Sequence, residues 1–401
     1  MVNNEVVIVN ALRTPFGSFG GSMKDIPSVD LGAKVLKEVI EQKDIDPGLI
    51  EEVYYGTCIL SENALNQNVI ARQAILKAGL PAETVSLTID RACCSSMTAV
   101  NLCYQKIKSG DISVAVAVGS ENMSRAPYLL PGARWGKRLG PLTLEDNLYE
   151  LGYKEWNPVA KDAGEVALEE GVTREEQDKW ALRSQQYYAK AFKEGKFDEE
   201  IIPIEIPDRK GNTFTISQDE GPRPDTTYEK LQKLPTIYGS PTVTPGNAPG
   251  MNTGAAAILL MSLNKAKELG FEPLATIRSV ANVSLEPRYI AKVPAPAIRS
   301  ALSKAGLTLE DIDLIEINEA FAAMPLVSSK ILANNDPELI QSIRNIINVN
   351  GGAIAIGHPV GASGARILLT MMYELRRRGG GKGVASICGG LAQGDAVLIE
   401  V

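Results

Sequence analysis

The feature that most constrains this 401-residue chain is that its second half repeats its first. "SALSKAGLTLEDIDLIEINEAF" (300–321) echoes "KVLKEVIEQKDIDPGLIEEVYYG" (34–56): a helix, the tripeptide "DID", then a strand. "IINVNGGAIAIGHPVGASGARILLTMMYELRRRG" (346–379) echoes "VSLTIDRACCSSMTAVNLCYQKIKSG" (85–110): a strand, a turn of small residues, a helix and a glycine stop. "KGVASICGGLAQGDAVLIEV" (382–401) echoes "ISVAVAVGSEN" (112–122). A duplication on this scale predicts two similar α/β halves packed about a pseudo-dyad, with their strand-to-helix turns meeting near it. Cys93 opens the central helix of the first half. Gly361 and Ala362, just past His358, open that of the second.

The first 120 residues support the α/β reading by alternation. Strands are expected over 5–11, 50–59, 84–92 and 113–121. Helices are expected over 28–44, capped by Ser28 or Asp30, and around 68–80 and 95–110. From about 122 to 245 Pro, Gly and charged residues dominate, and one helix stands out at 173–195, opened by a Thr173/Glu176 capping box. So long a segment between regular halves reads as an inserted subdomain. The division is residues 1–121 plus 246–268, an insertion over 122–245, and 269–401.

Composition removes several functions. The net charge is -7 with no basic domain, which argues against a nucleic-acid partner. "RRR" at 376–378 reads as compensation at a helix end. No apolar run reaches the roughly 20 residues that span a bilayer, and the start of the chain does not read as a signal peptide. Five cysteines, an odd number without paired spacing, and a single histidine build no zinc set. They suit a reducing, cytoplasmic compartment, and no metal is expected.

The chemistry gathers in four short stretches. In "DRACCSSMTAV" Cys93 lies where an apolar strand gives way to a helix, a place that favours a thiolate. His358, the sole histidine, sits between Gly357 and Pro359 in "GGAIAIGHPVGASGAR" (351–366) and is suited to take a proton from a thiol. Cys388 in "SICGGLAQGDA" follows a strand and precedes two glycines. Asn318 and Glu319 in "INEAFAA" end another strand and need hydrogen-bond partners. Each also has a plain structural reading: inert buried cysteines, or a satisfied core histidine.

Together, and in this order, "CCSSMTAV", "NEAF", "GHPVGASGAR" and "CGGLAQGDA", with "VNALRTPFGSFGGS" and "GNAPGMNTGAAAILLMS", resemble the thiolase family from end to end. The resemblance implies a five-layer αβαβα fold with a loop domain inserted in the first half. It implies that Cys93 is acylated, that His358 takes its proton, and that Cys388 acts as acid and base on the Cα of the second substrate. Asn318 would hold a water that binds the thioester oxygen with His358. Backbone N–H groups of Cys93 and Gly390 would form a second oxyanion hole. Coenzyme A and acyl-CoA are implied as substrates, with no permanently bound cofactor. Arg223 would touch the nucleotide end of CoA, and Gly246, Asn247, Ala248 and Pro249 would run along its pantetheine. A homodimer or homotetramer is expected.

The chain departs from the family pattern at Cys94, Thr98, Pro158, Val159, Pro249 and Ile290. Lys161, Arg288 and Lys292 lie in or beside altered segments, which raises an acyl chain bearing a carboxylate as one substrate class. The alternatives are a ketoacyl-synthase-type condensing enzyme, disfavoured because Asn318 precedes His358, and a non-catalytic CoA-ester-binding or scaffold subunit.

Overall fold

A computed structural model describes residues 4–149, 154–207 and 212–401. Residues 1–3 at the start of the expected first half, and 150–153 and 208–211 of the expected insertion, lie outside the described residues. Nine strands follow one continuous path: β1 (Val6–Arg13), β2 (Glu52–Gly56), β3 (Val85–Ile89), β4 (Val114–Asn122), β5 (Asn252–Ser262), β6 (Ala275–Ser284), β7 (Leu314–Ile317), β8 (Lys382–Gly389) and β9 (Gln393–Glu400). Their order is β7-β8-β9-β6-β1-β5-β4-β2-β3.

The repeat is visible in this order. Outward from the centre, β1-β5-β4-β2-β3 pair antiparallel, antiparallel, parallel and parallel. On the other side β6-β9-β8-β7 pair antiparallel, antiparallel and parallel, and Ile347 bridges Ile315 of β7 in parallel where a fifth strand would lie. β1 and β6 meet antiparallel over Val6–Ile277 to Ile8–Ala275. Two copies of one topology are therefore related by an axis between β1 and β6.

Side-chain alternation along the strands builds the layers, because successive residues face opposite sides. Val114, Val116 and Val118 pack on α1 (Ser28–Glu41) and α2 (Ile70–Lys77). Ala115 and Ala117 face the other way, onto α3 (Ser95–Ser109). In the second repeat Ala385 and Ile387 face the same central layer, joined there by Leu368, Met371 and Leu375 of α8 (Ser363–Arg377). Val384, Ala396 and Leu398 face outward, onto α6 (Pro294–Ala305) and α7 (Ala323–Leu332). The result is α, β, α, β, α, with α3 and α8 sandwiched between the two sheet halves.

Between β4 and β5 the chain carries α4 (Val159–Glu169) and α5 (Arg174–Lys193), and the Thr173/Glu176 capping box is formed. Three expectations need correction. Pro27 precedes α1, and neither Ser28 nor Asp30 caps it; Ser28 instead donates its backbone N–H to Glu62 Oε1 at 2.9 Å. The strand expected at "IINVN" is reduced to the Ile347 bridge, because a helix over Pro337–Ile346, capped by Asp336, takes up its first residue. Cys93 does not open α3, which starts two residues later at Ser95.

Candidate active site

The turns that precede α3 and α8 face each other at the centre of the molecule, and each carries one reacting group. Gly357 has φ +115°, and a Cβ there would lie 2.6 Å from Asn252 Cγ. Asn252 Oδ1 accepts the His358 N–H at 2.9 Å. Glycine thus lets the chain turn tightly against Asn252 and present the imidazole to the opposite turn. There Ala92, with φ +50°, precedes Cys93, and His358 Nε2 lies 3.2 Å from Cys93 Sγ.

The other ring nitrogen, Nδ1, is 2.6 Å from Ser363 Oγ and 3.5 Å from Asn318 Nδ2. Asn318 is fully buried, and its Oδ1 takes no hydrogen bond among the described residues. Cys388, also fully buried, is the penultimate residue of β8, and a charge on it would push the Cys93 thiol further up. The turn after it presses on the first repeat: a Cβ on Gly389 would lie 2.8 Å from Arg91 O and 2.9 Å from Cys94 Sγ. Gly390 follows, and Leu391 and Ala392 adopt left-handed φ values of 58° and 56°. Cys93, His358 and Asn318 are thus brought together by both repeats, and the turn after Cys388 packs on the turn that carries Cys93.

Burial decides the resting protonation. The expectation of a thiolate at Cys93 is overturned: desolvation pushes its thiol well up, and the neighbouring Cys388 adds to the rise. Burial pushes the Cys388 thiol up to about 12. Burial, aided by Arg366, pushes His358 down to about 3. The pair rests as neutral thiol and neutral imidazole, so Sγ becomes a strong nucleophile only as its proton leaves for Nε2.

Three buried carboxylates hold the frame. Glu319 Oε1 accepts from Trp180 Nε1 at 2.8 Å and Asn348 Nδ2 at 3.0 Å. Its Oε2 accepts from Ser184 Oγ at 2.8 Å and Ile354 N at 3.1 Å. The job expected of the Asn-Glu pair thus falls to Glu319 as an anchor between α5 and the segment that leads to His358. Glu121, at the end of β4, accepts from Cys58 N and Ile59 N at 3.0 Å and from Gly361 N at 3.1 Å, tying one repeat's turn to the other's. Arg91 Nη1 meets the buried Asp395 Oδ1 at 2.7 Å, and Thr98 Oγ1 donates to Asp395 Oδ2 at 2.5 Å. The threonine that departs from the family pattern is therefore part of this clamp.

The residues expected to line CoA divide. Arg223 is exposed, its backbone N–H held by Gln185 Oε1 at 2.8 Å. Gly246 and Pro249 keep partial exposure. Ala248 is buried beside Ala160 and Val243. Asn247 is committed internally: Oδ1 accepts from Thr244 N, Nδ2 donates to Asp178 Oδ1 and Thr242 O, and its carbonyl accepts from Ala322 N. It shapes the loop against the Asn318 turn, with both amide N–H donors used inside the protein.

Each of the cations considered for an acyl carboxylate has a carboxylate partner of its own. Lys161 lies 4.0 Å from Glu165, Arg288 pairs with Glu169, and Lys292 lies 2.5 Å from Glu170, all on α4 or just beyond its end. Around Cys93 the surroundings are apolar instead: Ile59, Met123 and Val360, with the partly exposed Cys58, Ala126, Leu148 and Met251.

Two family models cover nearly the whole chain: the thiolase N-terminal domain over residues 6–264 and the thiolase C-terminal domain over 271–401. The chain belongs to the thiolase family. It is 45% identical over 401 residues to an acetyl-CoA acetyltransferase of Cupriavidus necator, covering 99% of each chain. Among solved structures, human mitochondrial 3-ketoacyl-CoA thiolase superposes with a TM-score of 0.93 at 39% identity, each chain covered completely. The same human enzyme in complex with CoA gives 0.92, also at 39%, over 100% of this thiolase and 98% of that chain.

Sequence reasoning missed Ser363, Glu121, Arg91 and Asp395 in this site. Ser363 and Asp395 stood inside quoted motifs, and an acid ending the apolar strand 113–121 was the available signal for Glu121.

Proposed function

We propose that this thiolase cleaves a 3-oxoacyl-CoA with a short, uncharged acyl chain, and runs the reverse Claisen condensation, through an acyl group carried on Cys93. The observation that carries the reading is the 3.2 Å contact between His358 Nε2 and Cys93 Sγ, in a neighbourhood shared with Cys388.

In cleavage, the Cys93 proton moves to His358 Nε2 as Sγ attacks the 3-oxo carbon. The C2–C3 bond breaks, and the departing enolate of acetyl-CoA takes the Cys388 proton at Cα. Coenzyme A then gives its thiol proton to the Cys388 thiolate and attacks the acyl-cysteine. The Cys93 thiolate leaves and recovers its proton from His358, so the cycle closes without net proton transfer. The backbone N–H groups of Cys93 and Gly390 stabilise the tetrahedral oxyanion. Asn318 and His358, with a water, serve the thioester oxygen, each such donor contributing about 3 kcal/mol.

Coenzyme A lies along the 246–249 loop towards Arg223, with Asn247 holding the loop rather than the ligand. The CoA complex of the human relative supports this ligand. The division into residues 1–121 with 246–268, an insertion over 122–245, and 269–401 follows the repeat, with the insertion supplying Leu148 to the wall around Cys93. Five free thiols support a cytoplasmic setting. Among the described residues no helix is long and apolar enough to cross a membrane.

The test is turnover of 3-oxoacyl-CoA esters with CoA. Acetoacetyl-CoA should be cleaved at least tenfold faster than a dicarboxylic 3-oxoacyl-CoA, and His358→Ala should lower the rate on either by about 10²–10⁴-fold. Faster turnover of the dicarboxylic ester would overturn the acyl-chain assignment, and an active His358→Ala enzyme would overturn the mechanism.

A further inference from the structure

The second nitrogen of His358 has a partner that the reaction scheme does not yet use. Ser363 is fully buried at the first position of α8. Its Oγ lies 2.8 Å from Pro359 O and 2.6 Å from His358 Nδ1. A hydroxyl has one proton to give. A carbonyl oxygen can only accept, and Pro359 O also accepts from Ala362 N and Ser363 N at 3.0 and 3.1 Å; with the hydroxyl proton placed in this i−4 bond, Oγ is an acceptor towards the ring. Nδ1 must then carry the hydrogen, and the lone pair of Nε2 points at Cys93 Sγ.

The repeat supplies an independent precedent. Ser95 holds the matching first position of α3. Its Oγ donates to Ala92 O at 2.7 Å and accepts the Arg91 N–H at 2.9 Å. The accepting half has no alternative, because a backbone N–H cannot accept; Cys58 Sγ, 3.4 Å away, is the other group near the hydroxyl. In each half, then, the serine that opens the central helix gives its proton to a carbonyl of the preceding turn and receives one from a group of that turn. In one half the group is the backbone next to the nucleophile, and in the other it is the imidazole.

We propose that Ser363 is a positioning residue that fixes His358 as the Nδ1–H tautomer, so that Nε2 is free to take the Cys93 proton. With the opposite tautomer Nε2–H would point its hydrogen at the sulfur, and the thiol proton would have no acceptor. Asn318 Nδ2, a donor 3.5 Å from Nδ1, makes no hydrogen bond to a protonated Nδ1, which leaves the Asn318 amide for its own part in the reaction. The inference rests on the reading of His358 as the base.

Because His358 is the only histidine, ¹⁵N-histidine labelling of the full-length enzyme gives a single imidazole. At neutral pH the spectrum should show a protonated Nδ1 and an unprotonated Nε2. Ser363→Ala should convert it to a mixture of tautomers, with iodoacetamide labelling of Cys93 and kcat both falling about ten- to a hundredfold and KM for the CoA ester little changed. Ser363→Thr, which keeps the hydroxyl, should restore the tautomer and most of the rate. A wild-type ring protonated at Nε2, or a Ser363→Ala enzyme with unaltered tautomer and rate, would overturn the proposal. The spectrum does not depend on turnover, so failure of His358 as base would show separately, as an active His358→Ala enzyme.

Discussion

At the scale of single residues, the site works by keeping ionisable groups neutral. His358 titrates near 3 in the fold, against about 6.5 in an unfolded chain. Between these values the unfolded chain binds a proton that the folded chain refuses, so stability falls as pH drops through that window. Relative to His358→Gln, the wild type should lose about 1.4 kcal/mol per pH unit below roughly pH 6. Urea unfolding of both proteins from pH 7 to pH 4.5 reads this directly, and parallel curves would contradict it. The proposed reacting residues Cys93, His358 and Cys388 were singled out in the sequence by the joint order of their motifs and its resemblance to the family, each being weak alone. Their protonation was not legible there. The helix-terminus argument for a Cys93 thiolate came from local sequence, whereas desolvation by elements from both halves dominates in the fold.

At the scale of elements, the strand-to-helix turns are held by buried carboxylates contributed from elsewhere in the chain. Glu121 receives Cys58 N, Ile59 N and Gly361 N, yet burial outweighs these bonds and lifts its carboxyl to about 7. Glu121→Gln would set an amide NH₂ against backbone N–H donors on one side, leaving at least one of them unsatisfied. It should cost about 2–3 kcal/mol and slow turnover by displacing the Gly361 turn; an unfolding midpoint equal to wild type would refute the role. Such a residue is hard to read in advance, because a single acid ending an apolar strand carries no mark of three donors far off in sequence. The Pro337–Ile346 helix was missed for a different reason. Ile340, Ile343 and Ile347 recur at helical i, i+3, i+7 spacing, and the Asp336–Pro337 start marks the cap; both signals were overlooked in favour of the short apolar run that follows.

At the scale of the whole molecule, duplication was the most legible property, since two runs of helix, strand and glycine in the same order can only pack as paired halves. It leaves the sheet with an open margin at β3, where Val85 and Leu87 are 59% and 48% exposed. An apolar edge strand of this kind is a template for pairing with a second copy, so any self-association is expected to run through it. Leu87→Lys should lower any self-association seen for the wild type in sedimentation equilibrium, and an unchanged distribution would place such a contact elsewhere. The claim that joins all three scales is that both repeats feed one covalent cycle on Cys93. Its most direct measurement is the intact mass and peptide map of enzyme quenched after mixing with acetyl-CoA. The account predicts one acetyl group per chain, on Cys93, in the wild type and, formed more slowly because CoA must leave without the Cys388 proton, in a Cys388→Ala enzyme that no longer condenses, and none in Cys93→Ala. An acetyl group on Cys388, or turnover by Cys93→Ala, would contradict it.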